Sequence, residues 1–363
     1  MNMAVSGASG QHARLTSLSR DPQTQQLVRN EYAELKRLVE ASGLLKPQTG
    51  YFVTKIVVNA VLLGVGVFAL RLVGLSPWWW WADVVFLSFV FVQIALLGHD
   101  VAHLQFIRAG RVNMALAFIL GNLLVGVSRA WWKHNHDAHH ARPNDLAHDP
   151  NVNIIFLACS PEQALTRPGW VRWIIRHQVA LLLPIFCLEF FSMHQQSIQY
   201  ALRRRPGCTR AELPLLVGHY VLYGTVLVGA LGLSGALAFA LVHHALTGLY
   251  MATIFAPNHK GMPLAPTFHV ASEFLGEQVL TARNIRGNRF IDSMYGGLNY
   301  QIEHHLFPSM PRNNLRRARP IVQRYCELHD VAYREASFLE SWRDIIAHFG
   351  AVSRALTNAD SMA

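Results

Sequence analysis

Three short segments of this chain bring histidines together at spacings that suit metal binding. They are HDVAH, which begins at His99, HNHDAHH, which begins at His134, and QIEHH, which begins at Gln301. Residues three or four positions apart on an α-helix lie on the same face, so each segment can direct two or three side chains toward one ion. A further histidine, His259, stands in the segment APNHKGMP. The predicted chemistry is that of a metal site assembled from separate parts of the chain.

The number of histidines in these segments favours two metal ions over one. Neutral imidazole is the most common metal ligand in proteins, and it suits iron, zinc or copper. A single ion cannot hold so many rings, so we expect two ions that share them and keep open positions, which implies reactivity with oxygen. The predicted ligands are His99, His103, His136, His139, His140, His259, His304 and His305.

The chain contains 19 histidines in all. Those outside the segments named above are predicted to be ordinary surface or core residues, because a histidine without ligand-spaced neighbours usually has no metal. His134 and His148 stay open between a surface position and a supporting one. His243 and His244 stand inside an apolar run, about 22 Å along a helix from His259 at ~1.5 Å per residue. We expect these two to be packed among other side chains or to face the far side of a membrane.

The composition indicates an integral membrane protein. Hydrophobic residues make up 52% of the chain and charged residues only 15%, and several apolar runs reach the ~20 residues that cross a bilayer. The net charge of +10 resides in short loops between these runs, which is typical of a cytosolic membrane face and not of nucleic-acid binding. The 4 scattered cysteines form no C-x-x-C pair, which argues against an iron-sulfur cluster, a zinc ribbon or a disulfide scaffold.

The apolar runs predict an all-α protein with four transmembrane helices in two hairpins, interfacial helices and a cytosolic histidine-rich di-metal cap. Because all the histidine segments must meet on one face of the membrane, an even number of crossings separates each pair. The run 112–127 is short for a crossing. Three runs remain between the second histidine segment and His259, so one of them cannot cross. The arginine-rich loop 203–210 belongs inside, so the run before it, 170–193, is expected to lie along the surface. The predicted spans are residues 51–75, 78–98, 213–231 and 235–256.

The chain is predicted to have three parts, which are a cytosolic N-terminal segment (1–50), a membrane domain (51–325) and a cytosolic C-terminal segment (326–363). The polar N-terminal segment does not resemble a removable signal peptide. It carries one helical signal, because Asp21-Pro22 resembles a helix start and apolar residues recur at helical spacing from Val28 to Val39. This helix is expected at the membrane interface. The tryptophans from Trp78 to Trp81 are expected to form an aromatic belt.

The three histidine segments and the spans around them resemble the membrane fatty acid desaturases, from about residue 50 to residue 325. The segment GGLNYQIEHHLFPSMPR is especially close to the acyl-lipid, front-end-type branch, in which glutamine replaces the first histidine of the third segment. The resemblance implies a non-haem di-iron site held by the histidines named above, with Gln301 at the position of a further ligand. The chain has no H-P-G-G haem motif of a fused cytochrome b5 domain, so a separate electron donor is implied, such as a ferredoxin or a cytochrome b5-like protein.

The implied reaction removes two hydrogens from adjacent methylenes of an acyl chain carried by a phospholipid or CoA, with O2 and two electrons as co-substrates. No side-chain acid or base can take a proton from an unactivated C–H bond near pH 7, since proteins shift pKa values by only a few units. An oxidant made from O2 at iron is therefore required. An apolar tunnel is expected to hold the acyl chain against the metal site.

Polar residues beside the ligands are expected to orient them, because an acceptor for the outer ring N–H fixes the direction of a metal-binding imidazole. The candidates are Asp100, Asp137, Asp149, Asn258 and Glu303. A run of arginines from Arg312 to Arg324 can dock an acidic electron donor, but anionic lipid head groups explain it as well and are favoured.

Two other functions compete with desaturation. A di-iron hydroxylase is the nearer one, because the same oxidant can add oxygen to carbon instead of removing a second hydrogen. A histidine-rich metal transporter is the remote one, and its ligands are expected inside the spans along a pathway. The predicted setting is a bacterial plasma membrane with the site on the cytosolic face, and the predicted partners include membrane lipid but no nucleic acid.

Overall fold

The computed structural model describes residues 22–107, 110–265 and 273–362, and nearly all regular structure in them is helical. In the first part of the chain the helices are α1 (Pro22–Ala41), α2 (Thr49–Ala69), α3 (Pro77–Ala102), α4 (Arg111–Ala117), α5 (Arg129–Ala141), α6 (Pro161–Leu165), α7 (Gly169–Arg176), α8 (Leu182–Cys187) and α9 (Glu189–Leu202). In the second part they are α10 (Glu212–His259), α11 (Glu273–Leu280), α12 (Arg289–Met294), α13 (Gln301–Leu306), α14 (Arg312–Leu328) and α15 (Phe338–Met362). The short strands β1 (Asn284–Ile285) and β2 (Glu335–Ala336) pair in parallel.

Three of the described helices are long and apolar enough to cross a membrane. They are α2 with the 3₁₀ turn that extends it, α3 and α10. In α3, 72% of the most apolar stretch is buried within the protein, against 17% in each of the other two. The helix α3 therefore lies at the centre, while α2 and α10 turn apolar surface outward. At the start of α3, Trp78 is 82% exposed, which suits the predicted aromatic belt.

The 48-residue helix α10 reverses its direction at Gly232. Gly232 has φ 69° and ψ 173°, a backbone conformation that favours glycine. The Tyr223 hydroxyl lies 2.9 Å from Nδ1 of His243, whereas 20 residues of straight helix would separate these positions by about 30 Å. The two arms of α10 are therefore packed against each other and correspond to the predicted runs 213–231 and 235–256. His243 is fully buried between them, as expected of a packed residue.

The two shorter apolar runs do not form straight crossing helices. The run 112–127 folds as α4 and a π-helical segment, Phe118–Val125, and the chain then bends by 104° into α5. That bend fits either a broken span or a re-entrant segment. The run 170–193 is divided among α7, α8 and the start of α9. Trp170 and Trp173 in α7 are 61% and 57% exposed, which suits a segment that lies along a membrane surface.

The helix α1 packs on protein, although we expected it to lie at the membrane interface. Leu35 and Val39 are completely buried in a core formed with α11, α13 and α14. The Tyr32 hydroxyl donates to the carbonyl of Leu306, at 2.7 Å. The apolar face of α1 therefore covers the segment that carries the last two histidines. Residue 21 and the side chain at position 28 lie outside the described residues, and the helix α14 continues across the predicted boundary at 325.

Candidate metal centre

Four helices bring the predicted ligands together at one end of the fold. The last turn of α3 supplies His99, and His103 stands at the C-terminal cap of that helix. The helix α5 carries the middle histidines along one side, α10 ends at His259, and the buried one-and-a-half-turn helix α13 carries the last pair. Ser128 begins α5 by accepting a hydrogen bond from the Trp131 N–H, a standard N-cap.

The ligand atoms fall into two groups, and within each group they lie within 4.8 Å of one another. The first group is His99, His103, His136 and His304, and the second is His139, His259 and His305. His140 lies between the two groups. Its Nε2 is 3.0 Å from Nε2 of His136, and its ring is centred 4.4 Å from the ring of His305. The predicted histidines thus lie together, and most of them form two groups that could each hold one ion.

Several of these nitrogens are buried and have no hydrogen-bond partner among the described residues. Neither ring nitrogen of His304 has a partner, and the same holds for Nε2 of His99, Nε2 of His305 and Nδ1 of His140. A buried polar atom left without a partner costs about 1–3 kcal/mol. Such atoms clustered at ligand spacing fit bound metal ions, which would satisfy them together.

Burial keeps five of these histidines in the neutral form that binds metal. Burial lowers the pKa of His103, His136, His140, His304 and His305 well below 6.5, and neighbouring histidine rings lower it further. A neutral imidazole retains a lone pair for a metal ion at physiological pH. The site is therefore prepared for cations without first having to release protons.

Two of the predicted supporting carboxylates contact ligand rings. The Nδ1–H of His139 donates to Oδ2 of the buried Asp149 at 2.8 Å, and the Asn144 backbone N–H donates to the same oxygen. Burial would raise the pKa of Asp149, but His139 and the backbone N–H of residue 151 lower it to about 2. Asp100 lies 3.5 Å from Nδ1 of His99 and forms an ion pair with a buried arginine, Arg312, at 3.2 Å.

Amide and carbonyl groups hold the rings of the second group. The Nδ1–H of His259 donates to the Thr281 carbonyl at 3.2 Å, and that of His305 donates to Oε1 of Gln278 at 2.8 Å. The Gln301 amide lies beside this group, with Nε2 at 3.0 Å from Nε2 of His259, while Asn258 donates to its Oε1. Coordination of an ion through the Gln301 oxygen would therefore require the amide to turn over.

The other two predicted supporting carboxylates have their polar contacts elsewhere than at a histidine ring. Asp137 is exposed and pairs with Lys133 at 2.7 Å. Glu303 is fully buried, but it accepts hydrogen bonds from Tyr333 and Asn284, each at 2.7 Å. Burial raises the pKa of Glu303 to about 7, against the effect of those hydrogen bonds. Glu303 thus joins α13 to the segment that contains Tyr333.

The two undecided histidines lie on the surface. His134 is exposed and packs against Tyr200. The side chain of His148 is 63% exposed and pairs with Asp145 at 2.8 Å. Neither belongs to the two ligand groups.

Sequence reasoning did not identify Gln278, Arg312 or Trp132 as part of the site. Gln278 comes from a segment with no motif, and Arg312, at the end of GGLNYQIEHHLFPSMPR, was considered only as part of the arginine run. Trp132 stacks on His136, with ring centroids 4.1 Å apart. Its position four residues before His136 places both on one helix face, a signal that was available in the sequence.

An apolar cavity adjoins the first histidine group. Its wall comes from α3, from the segment that leads into α5, and from α9 and α10. His99 lines it, and Trp132 separates it from His136. Other lining residues are Leu96, Gly121, Val127, Met193, Met251 and Phe255. The apolar lining favours an aliphatic group over a polar one beside the metal centre.

Comparison with known proteins assigns the family. The fatty acid desaturase family model matches residues 76–337. The chain is 27% identical to the Delta(6)-fatty-acid desaturase fat-3 of Caenorhabditis elegans, over 86% of this chain and 72% of the relative. It is 31% identical to an acyl-lipid (9-3)-desaturase of Borago officinalis, over 69% of this chain and 59% of the relative. It is 25% identical to a Delta 8-(E)-sphingolipid desaturase of Emericella nidulans, over 93% and 64%. The chain covers less than two thirds of the length of the last two relatives. Because the family model matches most of the chain, the protein belongs to the fatty acid desaturase family of oxidoreductases.

Proposed function

We propose that this protein is an O2-dependent di-iron desaturase that introduces a C=C bond into a lipid-linked fatty acyl chain. The observation that carries the proposal is the position of His99. This histidine belongs to the first ligand group, and it also lines the apolar cavity. A chain in the cavity would therefore present its methylenes to the group of side chains best suited to bind iron.

The first iron would be held by His99, His103, His136 and His304, and the second by His139, His259 and His305. His140 lies where it can serve either ion, and Gln301 lies beside the second. When bound, the two irons supply the reactivity toward O2 and electrons that an unactivated C–H bond requires. Imidazole ligands are compatible with iron, and oxidation of the substrate demands a redox-active ion.

The side chains of the protein would orient the metal-binding rings and hold the acyl chain. Asp149 holds the ring of His139 by accepting its Nδ1–H, and the Thr281 carbonyl does the same for His259. With Nδ1 engaged in these contacts, Nε2 is the nitrogen of each ring that would bind an ion. The cavity wall excludes water and holds the acyl chain in one path, so that the same methylenes meet the metal site in each turnover.

We further propose four membrane crossings, with the metal site at the cytosolic face. The crossings are α2, α3 and the two arms of α10, while α7, α8 and the 112–127 run lie at or within the inner surface. This topology places the arginine-rich 203–210 loop inside, in agreement with the distribution of positive charge.

Topology can be measured with a short epitope tag in the 203–210 loop of the full-length protein. The tag should be inaccessible to a membrane-impermeant label in intact cells and become labelled after permeabilisation. A tag at Gly232, where α10 reverses, should be labelled without permeabilisation. Labelling of the 203–210 tag in intact cells would contradict the proposed topology.

Activity can be tested by expression in a host whose lipids are fully known. We expect a new acyl species that has lost two hydrogens, formed only when O2 is present. A product that had gained an oxygen atom instead would indicate hydroxylation. Turnover that continued unchanged without air would contradict the di-iron proposal.

The electron donor is proposed to be a separate protein, such as a ferredoxin or a cytochrome b5-like protein. Membrane association accords with the family and the apolar helices. The relatives named above are eukaryotic, so they lend no support to the expected bacterial plasma membrane.

A further inference from the structure

A cationic side chain, Arg129, lines the apolar cavity. Arg129 is the first residue of α5 and lies three positions before Trp132 on that helix. Its side chain is 21% exposed, so it reaches from the cavity wall to the protein surface. Apart from the histidine at the metal end, the other lining residues are apolar or lack a charge. The cavity therefore combines apolar walls with one guanidinium group.

A buried carboxylate, that of Glu212, balances the charge of Arg129 but leaves N–H groups of the guanidinium available. The carboxylate of Glu212 lies 3.8 Å from Nε of Arg129. This contact involves Oε1 of Glu212, while Oε2 accepts hydrogen bonds from Asn122, at 2.6 Å, and from Ser128, at 2.9 Å. Nε of Arg129 is buried without a hydrogen-bond partner in the described part of the chain. A guanidinium has five N–H donors, so Arg129 retains capacity for an anion.

The loop between α9 and α10 adds further positive charge beside Arg129. The guanidinium of Arg129 donates to the carbonyl of Gly207 in this loop, at 3.3 Å. The loop arginines are exposed, and none has a carboxylate within ion-pair distance among the residues described. They are Arg203, Arg204, Arg205 and Arg210.

The arginine run in α14, which we had considered for docking, is different. Arg312 is buried against Asp100, Arg316 pairs with Asp292, and Arg319 pairs with Glu335. Much of the positive charge in α14 is therefore already balanced within the protein. The 203–210 loop is the better candidate for an external anion.

We infer that Arg129 and the 203–210 loop bind the phosphate of the acyl substrate's head group, which makes an anionic acyl lipid the preferred substrate class. The inference rests on the proposed function. Arginine recognises phosphate well because its planar fork can form two parallel hydrogen bonds. The charge lines the same cavity as His99, so the anion and the aliphatic chain belong to one ligand. An acidic protein could contact the exposed loop, but it would not reach the N–H groups that Arg129 offers at the cavity wall.

The test is a binding measurement on the purified, iron-loaded protein in an uncharged detergent. Two probes with the same chain are compared, palmitoyl lysophosphatidylglycerol and uncharged monopalmitoylglycerol. Arg129→Gln should weaken binding of the anionic probe by about tenfold, the scale of hydrogen bonds to a charged group, and leave the uncharged probe unaffected. Arg129→Lys should retain part of the preference. Arg324→Gln, an exposed arginine on α14, is the matched control and should change neither.

A second variant carries Arg203→Gln, Arg205→Gln and Arg210→Gln together, and these exposed positions do not affect folding of the core. It should lose several-fold in affinity for the anionic probe, and its remaining affinity should depend less on salt. Equal binding of the two probes by the native protein would overturn the inference. The inference would also be overturned if the triple variant bound lipid normally but required a higher concentration of electron donor for turnover. The loop would then dock an acidic protein. Binding is measured without turnover, so an inactive protein that prefers the anionic probe would refute the proposed function alone.

Discussion

Replacement of His304 by alanine should leave the protein in the membrane, lower its iron content to about half or less and abolish unsaturated product. His304 is fully buried, and neither of its ring nitrogens has a partner within the described residues. It belongs to the first ligand group. Loss of a residue that merely orients a ligand already costs 10–100-fold, so we expect loss of a ligand to reduce turnover by at least about 100-fold. Iron per protein, measured by mass spectrometry, and product formation check this expectation.

The matched control for this variant is His148→Ala. His148 is close to the second histidine segment in the sequence, but its side chain is 63% exposed and contacts only Asp145 among the candidate partners. It should retain iron and activity at the native level. Full iron and normal turnover in the His304 variant would disprove the ligand assignment. Equal losses in both variants would show that histidine content, and not position, governs the result.

Replacement of Asp149 by asparagine should weaken iron binding about 10–100-fold, the usual effect of losing an outer partner of a metal-bound histidine. Oδ2 of Asp149 accepts from both the His139 ring and the backbone N–H of Asn144. An amide carries less negative charge than a carboxylate and holds the ring less firmly. Activity should fall at limiting iron and recover partly when iron is added. Titration of the metal-free protein with ferrous iron gives the affinity directly.

Asp137→Asn provides the comparison, since this residue lies between two predicted ligands in sequence but is exposed and paired with Lys133. It should bind iron like the native protein. If the two variants lost affinity equally, the effect would come from general negative charge near the site. A native affinity in the Asp149 variant would rule out its role in orienting His139.

Much of the helical architecture could be predicted from hydrophobic runs. The runs at 51–75 and 78–98 correspond to α2 and α3, and the run at 170–193 is divided into short helices, as its predicted surface position requires. What the apolar face of α1 covers could not be predicted, because an amphipathic helix has the same periodicity whether it covers protein or lipid. Only the packing of Leu35 and Val39 against α13 and α14 distinguishes these cases.

The clustering of the histidines could be predicted because helical spacing alone places several imidazoles on one face. Their supporting contacts could be predicted only in part. Asp149 and Asp100 lie beside ligand rings, whereas Asp137 and Glu303, equally close in sequence, turn toward Lys133 and Tyr333. Successive side chains along a helix differ in direction by about 100°, so neighbours in the sequence often contact different partners.

The sequence by itself determined the family, the membrane character and which histidines can bind metal, because these depend on composition and on local helical geometry. The tertiary structure decided how those histidines divide into two groups, and which of the groups borders the cavity. It also brought Gln278, Arg312 and Arg129 to the site, although no spacing in the sequence marked these three as part of it. These contacts join residues far apart in the chain, and no periodicity within one segment encodes the packing of four helix ends against each other.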